Sequence, residues 1–78
     1  MNYYYHAGEK WNDKQTGEVR VNWSDHTRLS DDAAEREARK MAKRAGEGHK
    51  PVVEYWERRY GLRPGWDCAS GPYDVQIA

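Results

Sequence analysis

The sequence predicts an α+β fold: a small antiparallel sheet with one amphipathic helix packed on one face, in the order ββαββ. Two stretches carry most of that prediction. "GEVRVNW" alternates strictly, with Val19, Val21 and Trp23 on one side and Glu18, Arg20 and Asn22 on the other, the period-2 pattern of a half-buried strand. "DDAAEREARKMAKRA" instead places Ala34, Ala38, Met41, Ala42 and Ala45 in one stripe, the spacing of a helix that lies close on a sheet.

The first strand is "NYYYHAGEKW", dense in aromatic side chains. The polar "NDKQTG" that follows ends in glycine and joins it to "GEVRVNW" as an antiparallel hairpin. The helix spans 31–45. Ser30 is its N-cap, and Asp31 and Asp32 occupy the first turn, where the helix dipole favours acids. Arg39, Lys40, Lys43 and Arg44 crowd its last turns, and Gly46 stops it.

Residues 51–60 fit a strand or a second helix. As a helix, Val52, Val53, Tyr55, Trp56 and Tyr60 gather into one stripe, with Pro51 at the first position and Gly61 at the stop. As a strand, the segment has the Val, Tyr and Trp content that strands favour, and it follows a helix through the short connection "RAGEGHK". "GLRPGWDCASGP" reads as loop with a short strand around Trp66. "YDVQIA" reads as a final strand with Tyr73, Val75 and Ile77 on one face.

Seventy-eight residues make one domain, 1–78, at the size where a single core is barely sufficient. The chain has five Val, two Leu, one Ile, two Met and no Phe, against four Trp and six Tyr. Each Trp or Tyr can bury roughly 150–250 Å², so some of the ten aromatics must be core. Trp23, Val19, Val21 and Met41 fill that core with four or five of them, and the others are surplus. Cys68 is alone, so no intrachain disulfide forms, which fits a reducing cytoplasm. The N-terminus lacks a basic segment followed by an apolar run. No apolar stretch approaches the ~20 residues of a membrane span. The expected location is therefore cytoplasmic, with no membrane partner.

Formal charge sums to zero but is unevenly placed. Residues 1–35 carry four basic and seven acidic side chains, and residues 36–63 carry nine basic and four acidic. Neither the basic excess of a general DNA binder nor the acidic excess of a nucleic-acid mimic is present, so strong generic nucleic-acid binding is not expected.

His6, His26, His49 and Cys68 show no metal-ligand spacing. "SDH" at 24–26 holds the residue types of a hydrolytic triad, but neighbours on a strand point to opposite faces. No metal, cofactor or catalytic residue is expected, and the chain is read as a non-enzyme.

Two constellations stand out. "VVEYWERRYGLRPGW" packs four large aromatics and three arginines into residues 52–66, the side chains most enriched at binding hot spots. Tyr55, Arg58, Arg59, Arg63 and Trp66 are the candidate partner-binding set. The second is the basic helix face Arg36, Arg39, Lys40, Lys43 and Arg44, a candidate phosphate-binding ridge. The plainer account of those cations is a solvated face, placed for the dipole and for pairs such as Asp32–Arg36 and Glu35–Arg39.

In size, in its ββαββ order and in its lack of catalytic residues, the chain resembles the small phage-encoded inhibitors of bacterial defence, the anti-CRISPR proteins. The resemblance is architectural and carries no shared motif, so it assigns no residue. It implies a protein that binds and blocks a CRISPR effector subunit in a host bacterial cytosol. The other function consistent with the sequence is a small nucleic-acid-binding module, using the basic helix and the aromatic–arginine stretch. A third is an assembly subunit.

Overall fold

Four ten-residue strands and one helix follow one another as β1 (Tyr3–Asn12), β2 (Val19–Arg28), α1 (Asp31–Ala45), β3 (Lys50–Arg59) and β4 (Gly65–Asp74). They come from a computed structural model that describes residues 2–59 and 65–77. The strands form one antiparallel sheet in the order β2-β1-β3-β4, and α1 lies across β1 and β3. The α+β architecture expected from the sequence is the one observed, and residues 51–60 take the strand alternative as far as Arg59.

The helix is built as its sequence suggests. The Ser30 hydroxyl accepts from the Ala33 amide at 3.1 Å, and the Gly46 amide donates to the Ala42 carbonyl at 3.1 Å. Ala34, Ala38 and Ala42 are buried. Their short side chains let the helix settle directly on Ala7 of β1 and Val53 of β3, and Val75 closes the same cluster. Tyr5, Met41 and Tyr73 pack around it.

Three sequence expectations are corrected. Val19, Val21 and Trp23 do not fill the core under the helix. The register pairs Trp23 with Gly8 and Val21 with Lys10, on the face turned away from α1, and Val19 is 62% exposed. The cause is register: these residues pair with Gly8, Lys10 and Asn12, on the face opposite Ala7, which packs under α1, and β2 is moreover an edge strand.

The segment 61–72, read as loop with a short strand, contributes most of β4 in its described part. Its Gly and Pro mark an irregular edge strand, where a missing amide and local bulges are tolerated. The register against β3 shifts on either side of Tyr55. Gly71 has φ +128°, and a Cβ there would fall 2.8 Å from Glu54 Cα, so only glycine fits the approach.

The expected strand through Ile77 ends early. Residues 75–77 are not strand, and Val75 is buried while Ile77 is 72% exposed.

Gly8 is the second glycine with a defined role. A Cβ there would meet the Trp23 ring at 2.5 Å, so the indole lies flat on bare backbone. Next to it, β2 carries a wide irregularity. Between the pairs His6–Thr27 and Gly8–Trp23, Ala7 alone spans the stretch that Ser24, Asp25 and His26 occupy on β2. The His26 amide closes this bulge on the Ser24 hydroxyl at 3.2 Å.

The packing of α1 makes a direct prediction. Ala38→Glu places a charge where Ala38 is fully buried and should destabilise the domain by several kcal/mol. Lys40→Glu, on an exposed position of the same helix, should leave the melting temperature close to wild type. Equal thermal stability for the two variants would contradict the packing.

Candidate functional site

The sheet has two unlike faces. On the helix side, β1 presents Tyr3, Tyr5, Ala7, Glu9 and Trp11. On the other side it presents Tyr4, His6, Gly8 and Lys10, matched on β3 by Trp56, Glu54, Val52 and Lys50, and Arg58 follows Trp56 on the same face of β3. No described element covers this second face.

Much of the second face is aromatic. Tyr4 stacks on Trp56 at 6.1 Å with planes 10° apart, and packs against Trp66 at 5.0 Å and 60°. Trp66 is 43% exposed and pairs across strands with the exposed Arg58. The three rings and the arginine form one patch near the end of the sheet that holds the β3–β4 connection.

Toward the middle of the face, His6 stacks on Trp23 at 5.1 Å. The Ser24 carbonyl can only accept, so His6 Nε2 donates to it at 2.7 Å. Nδ1 faces the Glu54 carboxylate at 3.2 Å. With Val52 fully buried beside Gly8, this part of the face is structural.

The candidate partner-binding residues fall in different places. Arg58 and Trp66 share the open face. Tyr55 points to the helix side, where its ring lies 5.0 Å from Tyr5 and 6.3 Å from Tyr3 and its hydroxyl donates to Glu57 at 2.9 Å. That hydrogen bond, then burial, raises the Tyr55 phenol above its ordinary pKa. Tyr55 therefore does not join Trp66 in one surface, because neighbours along β3 alternate between faces. The Arg59 side chain and Arg63 lie outside the described structure. Sequence reasoning missed Tyr4 as a member of the patch. Its signal was the alternation of β1, which sets Tyr4 on the face opposite Tyr3 and Tyr5, but only the pairing of Tyr4 with Trp56 shows which rings it meets.

The basic helix face also divides. Arg39 turns to one flank, where it donates to the Gln76 carbonyl at 2.8 Å and meets Glu35 at 3.6 Å. Lys43 lies on the same flank, with Arg39 and Ile77. Arg36, Lys40 and Arg44 line the other flank, a groove of about 720 Å³ between α1 and β2. Asn22, Ser24, Asp25, His26 and Arg28 form its strand wall. Of the two pairs expected from the sequence, Glu35–Arg39 forms. Among the described residues Asp32 does not bridge to Arg36.

Glu37 joins the two walls of the groove. Arg28 Nε donates to it at 2.6 Å, and the Ser24 hydroxyl donates to its other oxygen. Burial pushes this carboxyl up, but Ser24, Arg28 and the nearby His26 outweigh burial and hold it below its ordinary value. On the sheet side of the helix, Tyr73 donates to Glu35 at 3.2 Å. Burial, then the Glu35 charge, pushes that phenol up to about 12.

At the far end of the sheet, Glu9 is only 3% exposed and meets His49 Nδ1 at 2.5 Å. The Trp11 ring lies 5.0 Å from the same imidazole. A buried carboxylate needs such a partner, and this one ties the α1–β3 connection to β1.

Among the described residues no group of three or more His, Cys, Asp or Glu could hold a metal ion, and no helix is long and apolar enough to cross a membrane. Comparison with protein-family models, curated proteins and solved structures finds no match.

The Glu37 bridge predicts a pH dependence. A carboxyl whose pKa is lower in the folded state stabilises fully above its unfolded value, about 4.5, and that stabilisation is lost as pH falls through the folded value. Wild type should therefore melt above Glu37→Gln at neutral pH. The gap should close as pH drops below about 4.5. A gap that is constant with pH would contradict the bridge.

Proposed function

We propose that this chain is a non-enzymatic interaction protein that docks on a protein partner through the open face of its sheet and blocks it. The observation that supports this reading is the patch of Tyr4, Trp56, Trp66 and Arg58, on a face that no described element covers. A small domain gains from burying its aromatics, and a ring left 43% exposed beside arginine has the composition of a binding hot spot. The chain's size and element order suit an inhibitor of the anti-CRISPR kind, whose partner is a CRISPR effector subunit. The site needs no cofactor.

Single variants test the reading by face. Trp66→Ala removes a half-covered ring and should cost about 2–3 kcal/mol of stability while leaving the domain folded, and should remove about 2 kcal/mol or more of partner affinity. Arg58→Ala should act in the same direction, and Lys43→Ala on the helix should do neither. The measurement is retention of partner from host lysate on immobilised wild type and variants, alongside melting temperature. Retention that survives Trp66→Ala and Arg58→Ala but is lost with folded Tyr55→Ala would overturn the open-face reading.

A further inference from the structure

The groove between α1 and β2 is a second surface, independent of the aromatic face. Three of its cations, Arg36, Lys40 and Arg44, are exposed. No ion pair or hydrogen bond holds any of their side chains among the described residues. Of the carboxylates beside them, Glu37 is already engaged by Arg28 and Ser24, which leaves Asp25 in the bulge. The groove therefore carries a local positive excess in a molecule of zero net charge.

Spacing narrows the ligand. Arg36, Lys40 and Arg44 recur every fourth residue, about 6 Å apart along a helix rising 1.5 Å per residue. Side chains on one face of an extended peptide recur at about 6.6 Å. Phosphates along one strand of a duplex rise about 3.4 Å of axis per nucleotide but also wind around that axis and so stand farther apart than this, which leaves the walls of the groove to decide between a peptide and a nucleic acid. A single-stranded nucleic acid seeks aromatic platforms. Trp23 is the one Trp or Tyr among the described residues along the groove, and its ring is committed to His6 and Gly8.

The strand wall supplies the other half of the site. β2 is an edge of the sheet, and among the described residues no strand pairs with its outer side. Such an edge presents a row of amide and carbonyl groups that an incoming strand can use. The short Leu29–Ser30 connection returns α1 alongside the same strand, so helix cations and strand edge border one channel.

We propose that this groove binds an extended acidic peptide segment. The segment adds to the outer edge of β2 as a fifth strand and sets alternate Asp or Glu side chains against Arg36, Lys40 and Arg44. Main-chain pairing gives the affinity, and the three cations select the sequence.

The test uses the whole chain and a fluorescent peptide of alternating Glu and Thr, about ten residues long to match β2. Binding is read by fluorescence anisotropy at ~150 mM salt, where charges more than about 8 Å apart are largely screened. Saturable binding is expected. Arg36→Glu, Lys40→Glu and Arg44→Glu together should weaken it roughly tenfold or more, while Lys43→Glu on the other flank changes it little. Two further peptides, N-methylated on the Glu amides or on the Thr amides, are measured on wild type. One should lose roughly tenfold in affinity, because only one set of amides faces β2. Three outcomes overturn the proposal: no binding of the parent peptide, equal binding of all three peptides, or tighter binding of a single-stranded oligothymidylate through the same three cations.

Discussion

One fifteen-residue helix has to cover a sheet of four ten-residue strands, and the rest of the structure follows from how little it can reach. At 1.5 Å per residue α1 is about 22 Å long, whereas each strand runs about 33 Å. The alanine stripe lets α1 lie close on Ala7 and Val53, but it also makes a thin core. Val52, Val53 and Pro51 are the largest side chains that are fully buried. Burying a Val is worth roughly 1.5–3 kcal/mol, and an Ala is worth less. The half-buried rings must then supply much of the stability. A Trp or Tyr covering half of its ~200 Å² contributes about 2–3 kcal/mol.

The rings are placed where the helix does not reach. Tyr3, Tyr5 and Tyr55 cover the sheet beyond the start of α1, and Trp11 with His49 and Glu9 covers it beyond the end. On the other face Trp23 fills the space above Gly8. Tyr4, Trp56 and Trp66 pack on one another with nothing described above them. Aromatic richness, which in the sequence looks like a single feature, thus serves three structural ends and one surface. The open-face reading of function rests on the fourth group.

How much of this was legible in the sequence depended on whether the cause was local. The helix from Asp31 to Ala45 was legible because its cap, stripe and stop all lie within its own residues. The first hairpin was legible from its alternation and polar turn. The identity of the core was not, because alternation tells which residues share a face but not which face the helix will cover. Val19, Val21 and Trp23 do share a face, and the register with β1 puts it on the side of the sheet away from α1. β4 was hidden because glycine and proline mark both loops and bulged edge strands. For the candidate sites, composition found Arg58 and Trp66, but proximity in sequence misled at Tyr55, one residue out of phase with Trp56. The basic helix was visible as a run of charge. Its division into a free flank along β2 and a bonded flank toward Gln76 required the tertiary fold.

The central claim is that one face of the sheet is sealed by alanines while the other leaves its aromatic patch to solvent. Paramagnetic attenuation of side-chain NMR signals by a soluble nitroxide measures this most directly. The structure predicts that the methyls of Ala7, Ala34, Ala38 and Val53 keep their full intensity. The ring protons of Trp66 should be strongly attenuated, and those of Tyr4 and Trp56 partly so. Trp66 protons as shielded as the Ala38 methyl would show that the open face is covered in solution, and attenuated Ala34 and Ala38 methyls would show that the helix does not seal the other; either result contradicts the account.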